Sequence, residues 1–116
     1  MVRESNEVKK EKKVAPFNGI GSITVRSILE GPEELYNKGR VFAHTTVHPG
    51  SKIGYHCHIN ESETYYILSG SGTYNDNGKI TEVHPGDVFF CGDGEGYGIE
   101  ASNEGIEMIA LILYHT

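Results

Sequence analysis

The sequence predicts an all-β domain, either a sandwich or a barrel. Runs rich in β-branched and aromatic residues follow one another along the chain, and Gly, Pro, Asn or Asp separates each run from the next. A length of 116 residues fits one domain with a single modest core. The predicted strands are 21–30, 40–48, 63–70, 72–75, 79–83, 87–91 and 106–114.

The first fifteen residues differ in character from the rest of the chain. Residues 1–15 are strongly charged and lack apolar periodicity, which is typical of a flexible arm or an edge extension rather than a core element. The sequence therefore predicts a flexible charged N-terminal arm over 1–15 and a β-barrel domain over 16–116.

The segments between the strands carry turn signals. The stretch "GPEELYNKG" (31–39) favours one or two helical turns, and "HPG" at 48–50 and at 84–86 favours a turn in each place. The pair Asn77-Gly78 suits positive φ at both central positions of a two-residue hairpin loop. Each of these signals lies between two strand-like runs, as an antiparallel β domain requires.

Charge and composition exclude several classes of partner. The formal net charge is −6, and residues 1–13 hold five basic and three acidic residues, so the remainder carries −8. Such a surface repels phosphate backbones and anionic lipid, and we expect neither nucleic-acid nor membrane binding. No apolar run has the length of a membrane span, and two cysteines make no disulfide framework. We expect a cytoplasmic protein with reduced thiols.

Two histidines and a glutamate form a candidate metal site. In an extended strand His56 and His58 share one face while Cys57 points to the other. The intervening "INES" is long enough to turn the chain, so Glu63 can join them from the next strand. Two imidazoles and one carboxylate suit a first-row divalent ion such as iron, manganese or nickel, and also zinc. In isolation, an H-x-H pair is often just two surface or half-buried histidines.

The spacing around these residues resembles the first conserved motif of the cupins. That motif is a glycine, five residues, H-x-H, three or four residues, a glutamate, six residues and a glycine. Gly50, His56, His58, Glu63 and Gly70 fit it throughout. The resemblance implies a double-stranded β-helix, or jelly-roll, barrel with a divalent metal held inside it, and a homodimer.

The second cupin motif is matched only in part by "GDVFFCGDGEGYGIEA" (86–101). Gly86 and Gly94 agree with it, whereas Gly92 replaces the proline, Tyr97 the histidine and Ala101 the asparagine. The histidine at this place is usually the last metal ligand of the family. The resemblance covers residues 50–101.

Position 97 therefore leaves several outcomes open. Tyr97 ligates the metal, or it hydrogen-bonds to a metal-bound water, or the metal is held by His56, His58 and Glu63 alone. The remaining alternative is a degenerate site that binds no metal. A phenol binds metal well only as phenolate, and this favours the second and third outcomes over ligation.

Further residues are assigned to the pocket from strand alternation. Tyr65 and Ile67 lie two and four residues after Glu63, so they share its face of the strand and are predicted to line the cavity. His44 is predicted to line the pocket opposite the ligands; alternatively, it is a hydrogen-bonded histidine within its strand. Glu95, Tyr97 and His44 are the candidates for a general acid or base.

Two functions of different class remain compatible with the sequence. The first is a metalloenzyme acting on a small oxygen-rich metabolite, as a dioxygenase, isomerase or decarboxylase. The second is a non-catalytic protein that binds a small, sugar-like molecule with a weakened or absent metal site. The cupin resemblance does not separate them, because the fold carries many activities.

Overall fold

The computed structural model describes residues 1–115. Its strands are β1 (Lys10–Val14), β2 (Ser22–Leu29), β3 (Gly39–Val47), β4 (Lys52–Cys57), β5 (Glu61–Asp76), β6 (Lys79–Val83), β7 (Val88–Cys91) and β8 (Gly96–Tyr114). Short helical pieces occur at Ser5–Glu7, Pro16–Asn18 and α1 (Gly31–Glu34). Among these described residues, no helix has the length and apolar character needed to cross a membrane.

Two long strands, β5 and β8, organise the fold, because each pairs with different neighbours along its length. The first half of β5 lies between β7 and the end of β8, and its second half lies between β6 and the start of β8. Strand β8 pairs with β4 through residues 96–100 and with β3 through residues 106–113. The layers β1-β2-β3-β8-β5-β7 and β4-β8-β5-β6 therefore share their two central strands, and the predicted all-β jelly-roll barrel is confirmed.

The core lies between these two layers. Val47, Ile67 and Met108 point inward from the larger layer, and Tyr74 and Ile99 meet them from the smaller one; all five are almost completely buried. Alternation along each strand places these side chains on the inner face, and burial of their apolar area drives the two layers together.

The predicted turns are confirmed. Asn77 and Gly78 have φ of 50° and 97°, and they join Asp76 to its cross-strand partner Lys79 in a two-residue hairpin. The "HPG" segments at 48–50 and 84–86 are also turns. The predicted helical segment is a single turn, α1.

Some strand boundaries differ from the predicted ones. Residues 63–70 and 72–75 belong to one strand, β5, and the strand predicted at 106–114 begins at Gly96. Glycines indicated a break at residue 71, but the chain only bends there, with a register shift between Gly70 and Gly72.

The charged N-terminal segment contributes an edge strand. β1 pairs with β2, and every one of its residues is exposed. Lysines at a sheet edge discourage pairing with another chain. The division of the chain at residue 15 stays a prediction.

Candidate metal centre

Strand β4 and the turn after it position the two histidines. His56 lies opposite Tyr97 of β8 in the strand register. The backbone of His58 is fixed to the glycine-rich turn before β8, since its N–H donates to the Glu95 carbonyl at 3.1 Å and its carbonyl accepts from Gly94 N–H at 2.8 Å. Cys57, between the two histidines, is exposed.

Glu63 joins the histidines from the start of β5. One potential ligand atom on each of His56, His58 and Glu63 lies within 4.8 Å of the others. His58 and Glu63 are buried and His56 is half-buried, so the cluster is largely shielded from solvent. Two imidazoles and a carboxylate this close together fit a divalent metal ion.

Hydrogen bonds donated by Nδ1 fix the orientation of both imidazole rings. Nδ1 of His56 is 2.8 Å from the Gly54 carbonyl, and Nδ1 of His58 is 2.7 Å from Oε1 of Glu61. Both partners are acceptors, so each Nδ1 carries a proton; Nε2 of His56 is left to face a ligand, and Nε2 of His58 faces Glu63. Metal-binding histidines are oriented by the same kind of contact.

Arg40 supports the His58 ring indirectly. It donates two hydrogen bonds to the Glu61 carboxylate, at 2.7 and 2.8 Å. The bonds from Arg40, aided by His58, lower the pKa of Glu61 to about 2 against the opposing effect of burial. Glu61 therefore stays ionised and accepts the His58 proton over the whole neutral range.

The two imidazoles differ in basicity. Nε2 of His58 is 2.9 Å from Oε1 of Glu63, and this hydrogen bond raises the pKa of His58. Burial lowers the pKa of His56. His56 therefore offers a neutral nitrogen, while in the absence of a metal His58 shares a proton with Glu63.

Tyr97 lies against the same carboxylate. Its hydroxyl donates to Oε1 of Glu63 at 2.7 Å and is itself hydrogen-bonded to the hydroxyl of Tyr65. Both rings are buried, and burial raises the pKa of each phenol well above its usual value. Tyr97 is thus a neutral hydrogen-bond donor to Glu63.

These residues line a partly open cavity of about 110 Å³ at the inner face of the barrel. Apolar side chains from both layers form most of its wall, and two cationic residues, Lys13 and Arg40, also line it. Besides these two cations, the lining consists of Pro16, Phe17, Ile23, Val25, Val41, Thr45, Ile53, His56, His58, Glu63, Tyr65, Tyr97, Ala110 and Ile112.

Three of the residues predicted for the pocket lie elsewhere. Alternation along β3 turns Thr45 inward, so His44 faces outward and lines a separate groove on the outside of the barrel. Its Nε2 lies 2.8 Å from Oε1 of Glu107. Ile67 points inward but packs in the core away from the cavity. Glu95 is exposed, and its carboxylate accepts from Gly92 N–H in its own turn.

Sequence reasoning missed four residues of the site: Lys13, Phe17, Arg40 and Glu61. Three of them precede His56 by at least sixteen positions, and tertiary contacts bring them to the cavity: Lys13 and Arg40 lie on the paired strands β1 and β3, and Phe17 lies on a segment bonded to β4. Glu61 lies within the motif and three residues after His58, so its position beside a predicted ligand was a usable signal.

Comparison with known proteins agrees with this architecture. The family model described as "Cupin domain" matches residues 43–114. The oxalate-binding protein of Thermotoga maritima is 39% identical over 114 residues, covering 97% of this chain and 93% of its own.

Two solved structures extend the comparison. A Thermotoga maritima protein described as a predicted oxalate decarboxylase has a TM-score of 0.91 at 38% identity and covers 98% of this chain and 99% of its own. KdgF from Halomonas sp. has a TM-score of 0.72 at 15% identity, covering 97% and 94%, and shares the fold alone. By its family model, its fold and its close relatives, the chain belongs to the cupin family.

Proposed function

We propose that this cupin binds a divalent metal ion through His56, His58 and Glu63 and uses it to bind a small dicarboxylate of the oxalate class. The observation that carries the proposal is the enclosed cluster of ligand atoms within 4.8 Å of one another. A bound divalent ion supplies a Lewis-acidic centre with open positions that carboxylate oxygens can occupy. The relative described as an oxalate-binding protein supports this ligand class.

The charges around the cavity support an anionic ligand only with the metal present. Lys13 and Arg40 contribute two positive charges, and Glu61 and Glu63 contribute two negative ones, so the side chains alone nearly balance. A divalent ion adds the excess positive charge that attracts a dianion into a poorly solvated space. Dicarboxylate binding should therefore depend on the metal.

The size of the cavity favours a small ligand over a sugar. Its volume of about 110 Å³ lies well below the roughly 300–1,000 Å³ of pockets that hold drug-sized molecules. A two-carbon dicarboxylate fits this space, whereas a sugar with its hydroxyl groups demands a larger cavity and more hydrogen-bonding side chains than the apolar wall offers.

Tyr97 is proposed to act on Glu63 rather than to ligate the metal. A neutral phenol that donates to Oε1 leaves the other carboxylate oxygen, Oε2, to face a cation. A buried phenol that resists ionisation is a poor metal ligand. Position 97, which usually supplies a metal ligand in cupins, would in this chain donate a hydrogen bond to the proposed ligand Glu63.

Binding without turnover is the favoured form of this function. Turnover needs a group that can give or take a proton at the ligand, and Glu95 and His44 lie outside the cavity. Tyr97 is engaged with Glu63.

We also propose a homodimer, and a reducing compartment such as the cytoplasm, since the described thiols of Cys57 and Cys91 are free.

Calorimetric titration with oxalate tests the proposal. We expect heat of binding with manganese-loaded protein and none with the metal-free chain. Binding of oxalate with equal affinity in both states would contradict a metal-dependent site, and production of formate and carbon dioxide would contradict binding without turnover.

A pair of neighbouring lysines provides a matched control. Lys13→Gln should weaken oxalate binding by roughly two- to fivefold, the range of a solvent-exposed charge pair. Lys12→Gln removes the same charge from the next residue of β1, which does not line the cavity, and should weaken it less. Equal effects of the two variants would mean that only the overall charge matters.

A further inference from the structure

Phe17, which the sequence motif does not include, lies directly on a predicted metal ligand. We infer that Phe17 is a positioning residue whose ring holds the imidazole of His56 in the orientation that metal binding requires. The inference rests on the proposed metal binding and concerns a residue 39 positions before the ligand it acts on.

The contact between the two rings is close and parallel. The ring centroids of Phe17 and His56 are 3.6 Å apart, and the ring planes differ by 7°. Offset or edge-on aromatic pairs contribute about 0.5–1.5 kcal/mol beyond the area they bury, and this nearly face-to-face pair contributes at most that much. The stack restricts rotation of the imidazole out of its plane, while the bond from Nδ1 to the Gly54 carbonyl restricts rotation within the plane.

Packing in the core does not explain the position of Phe17. The residue is 59% exposed, so most of its surface gains nothing from burial. Its neighbour Pro16 is buried and anchors the segment. The one ring stack that Phe17 makes among the described residues is with His56.

The backbone of Phe17 is in a conformation that bulky residues avoid. Its φ and ψ are 53° and 45°, in the left-handed region, and Ala15 and Asn18 are left-handed as well. Such residues cost of order 1 kcal/mol each and persist where the surrounding structure holds them in place. An aromatic residue with this cost and little burial indicates a role at the site it touches.

Two glycines let the segment approach β4 closely enough for the stack to form. A Cβ atom on Gly54 would lie 1.9 Å from the Phe17 carbonyl oxygen, and one on Gly19 would lie 1.9 Å from the Lys52 carbonyl oxygen. Backbone hydrogen bonds between Ile20 and Lys52, at 2.8 and 3.0 Å, fix the segment just beyond it. The carbonyl of Gly54 therefore accepts a hydrogen bond from Nδ1 of His56, and the absence of a side chain at Gly54 leaves room for Phe17 to stack on the imidazole.

Two variants at position 17 separate positioning from structural support. Phe17→Asn removes the ring but keeps a residue that tolerates left-handed backbone, and Phe17→Tyr keeps the ring. We expect Phe17→Asn to weaken manganese binding by about two- to tenfold, with little change in melting temperature, and Phe17→Tyr to restore it. Manganese affinity would be measured by competition with a chelator.

Tyr36 provides the matched control. It is also an exposed aromatic residue with left-handed backbone, φ 53°, but it does not line the cavity. Tyr36→Asn should leave manganese affinity unchanged. In the metal-free protein, Phe17→Asn should also shift the ring-proton resonances of His56, because the ring current of Phe17 is lost, whereas Tyr36→Asn should not.

The possible failures are distinguishable. If the wild-type chain takes up no manganese, the proposed function fails and this inference fails with it. If the wild type binds manganese and Phe17→Asn binds it equally well, the inference alone is overturned. If Phe17→Asn unfolds, Phe17→Leu replaces it, and wild-type affinity in that variant would show that apolar cover rather than ring stacking is needed.

Discussion

At the residue scale, the clustering of two histidines and a glutamate could be predicted, whereas most of the contacts that support the cluster could not. The motif spacing identifies His56, His58 and Glu63, because alternation along a strand and a short turn suffice to bring them together. The contacts of Tyr97 depend on how far its side chain lies from Glu63 across the barrel, and no spacing in the sequence reports that distance.

Removing His58 should abolish metal uptake, because it deletes one of the three proposed ligands. His58→Ala should keep the fold with a lower melting temperature, since Glu63 retains its bond from Tyr97. Elemental analysis and a thermal melt would measure both effects. His84→Ala, at an exposed histidine outside the site, is the control. A variant that loses its fold while retaining metal would identify His58 as structural instead.

Removing the Tyr97 hydroxyl should weaken the metal site without emptying it. Tyr97→Phe should lower metal affinity by about ten- to a hundredfold, the usual effect of losing a partner of a ligand. Stability should fall by about 1–3 kcal/mol, because buried Tyr65 and Glu63 each lose a partner.

Tyr74→Phe is a suitable control for that change, since Tyr74 is a buried tyrosine stacked on Tyr97. Complete loss of metal from Tyr97→Phe, or a visible phenolate-to-metal absorption band that this change removes, would mean that Tyr97 is itself a ligand.

At the scale of elements, alternation predicted which residues share a face but not which face is the inner one. Along β3, Ala43, Thr45 and Val47 are buried, so His44 faces outward. Tyr65 and Ile67 both point inward, but successive inward residues of a strand are about 6.6 Å apart. Tyr65 therefore lines the cavity, whereas Ile67 lies beyond its end. Strand type and turns follow from local sequence, whereas the position of the cavity along a strand does not.

The bend in β5 depends on Gly70, one of the fixed positions of the cupin motif. Its φ is +93°, and a Cβ atom there would lie 1.9 Å from the Gly105 carbonyl oxygen. Gly70→Ala should destabilise the protein by about 3 kcal/mol or more, since backbone strain and overlap act together.

Gly78 provides the comparison for this prediction. It has a similar φ of +97° but open space around a Cβ atom, so Gly78→Ala should cost only about 1–2 kcal/mol. Urea denaturation would measure both free energies of unfolding. Equal losses in the two variants would show that the close approach of Gly105 to β5 has no energetic role.

At the scale of the whole molecule, one outer face of the larger layer carries several exposed apolar residues. Tyr66 lies opposite Val88 on one side and Ile109 on the other in the strand register, and Phe90 and Leu68 are exposed nearby. Contiguous exposed apolar surface is typical of an interface. We therefore place the predicted homodimer contact on this face.

Sedimentation equilibrium tests that placement. The wild type should have twice the mass of the 12.8 kDa chain at micromolar concentration, and Tyr66→Lys should shift it toward the monomer. Ile80→Lys introduces the same charge at an exposed residue of β6, outside this face, and should remain dimeric. A monomeric wild type would contradict the prediction.

The account as a whole depends on the metal ion, and its stoichiometry is the most direct measurement. Untagged protein would be reconstituted separately with iron, manganese, nickel and zinc, dialysed, and analysed for metal per chain. We predict about one ion per chain with at least one of these metals and essentially none in a variant carrying both His56→Ala and His58→Ala. Less than about a tenth of an ion per wild-type chain with every metal would contradict the account.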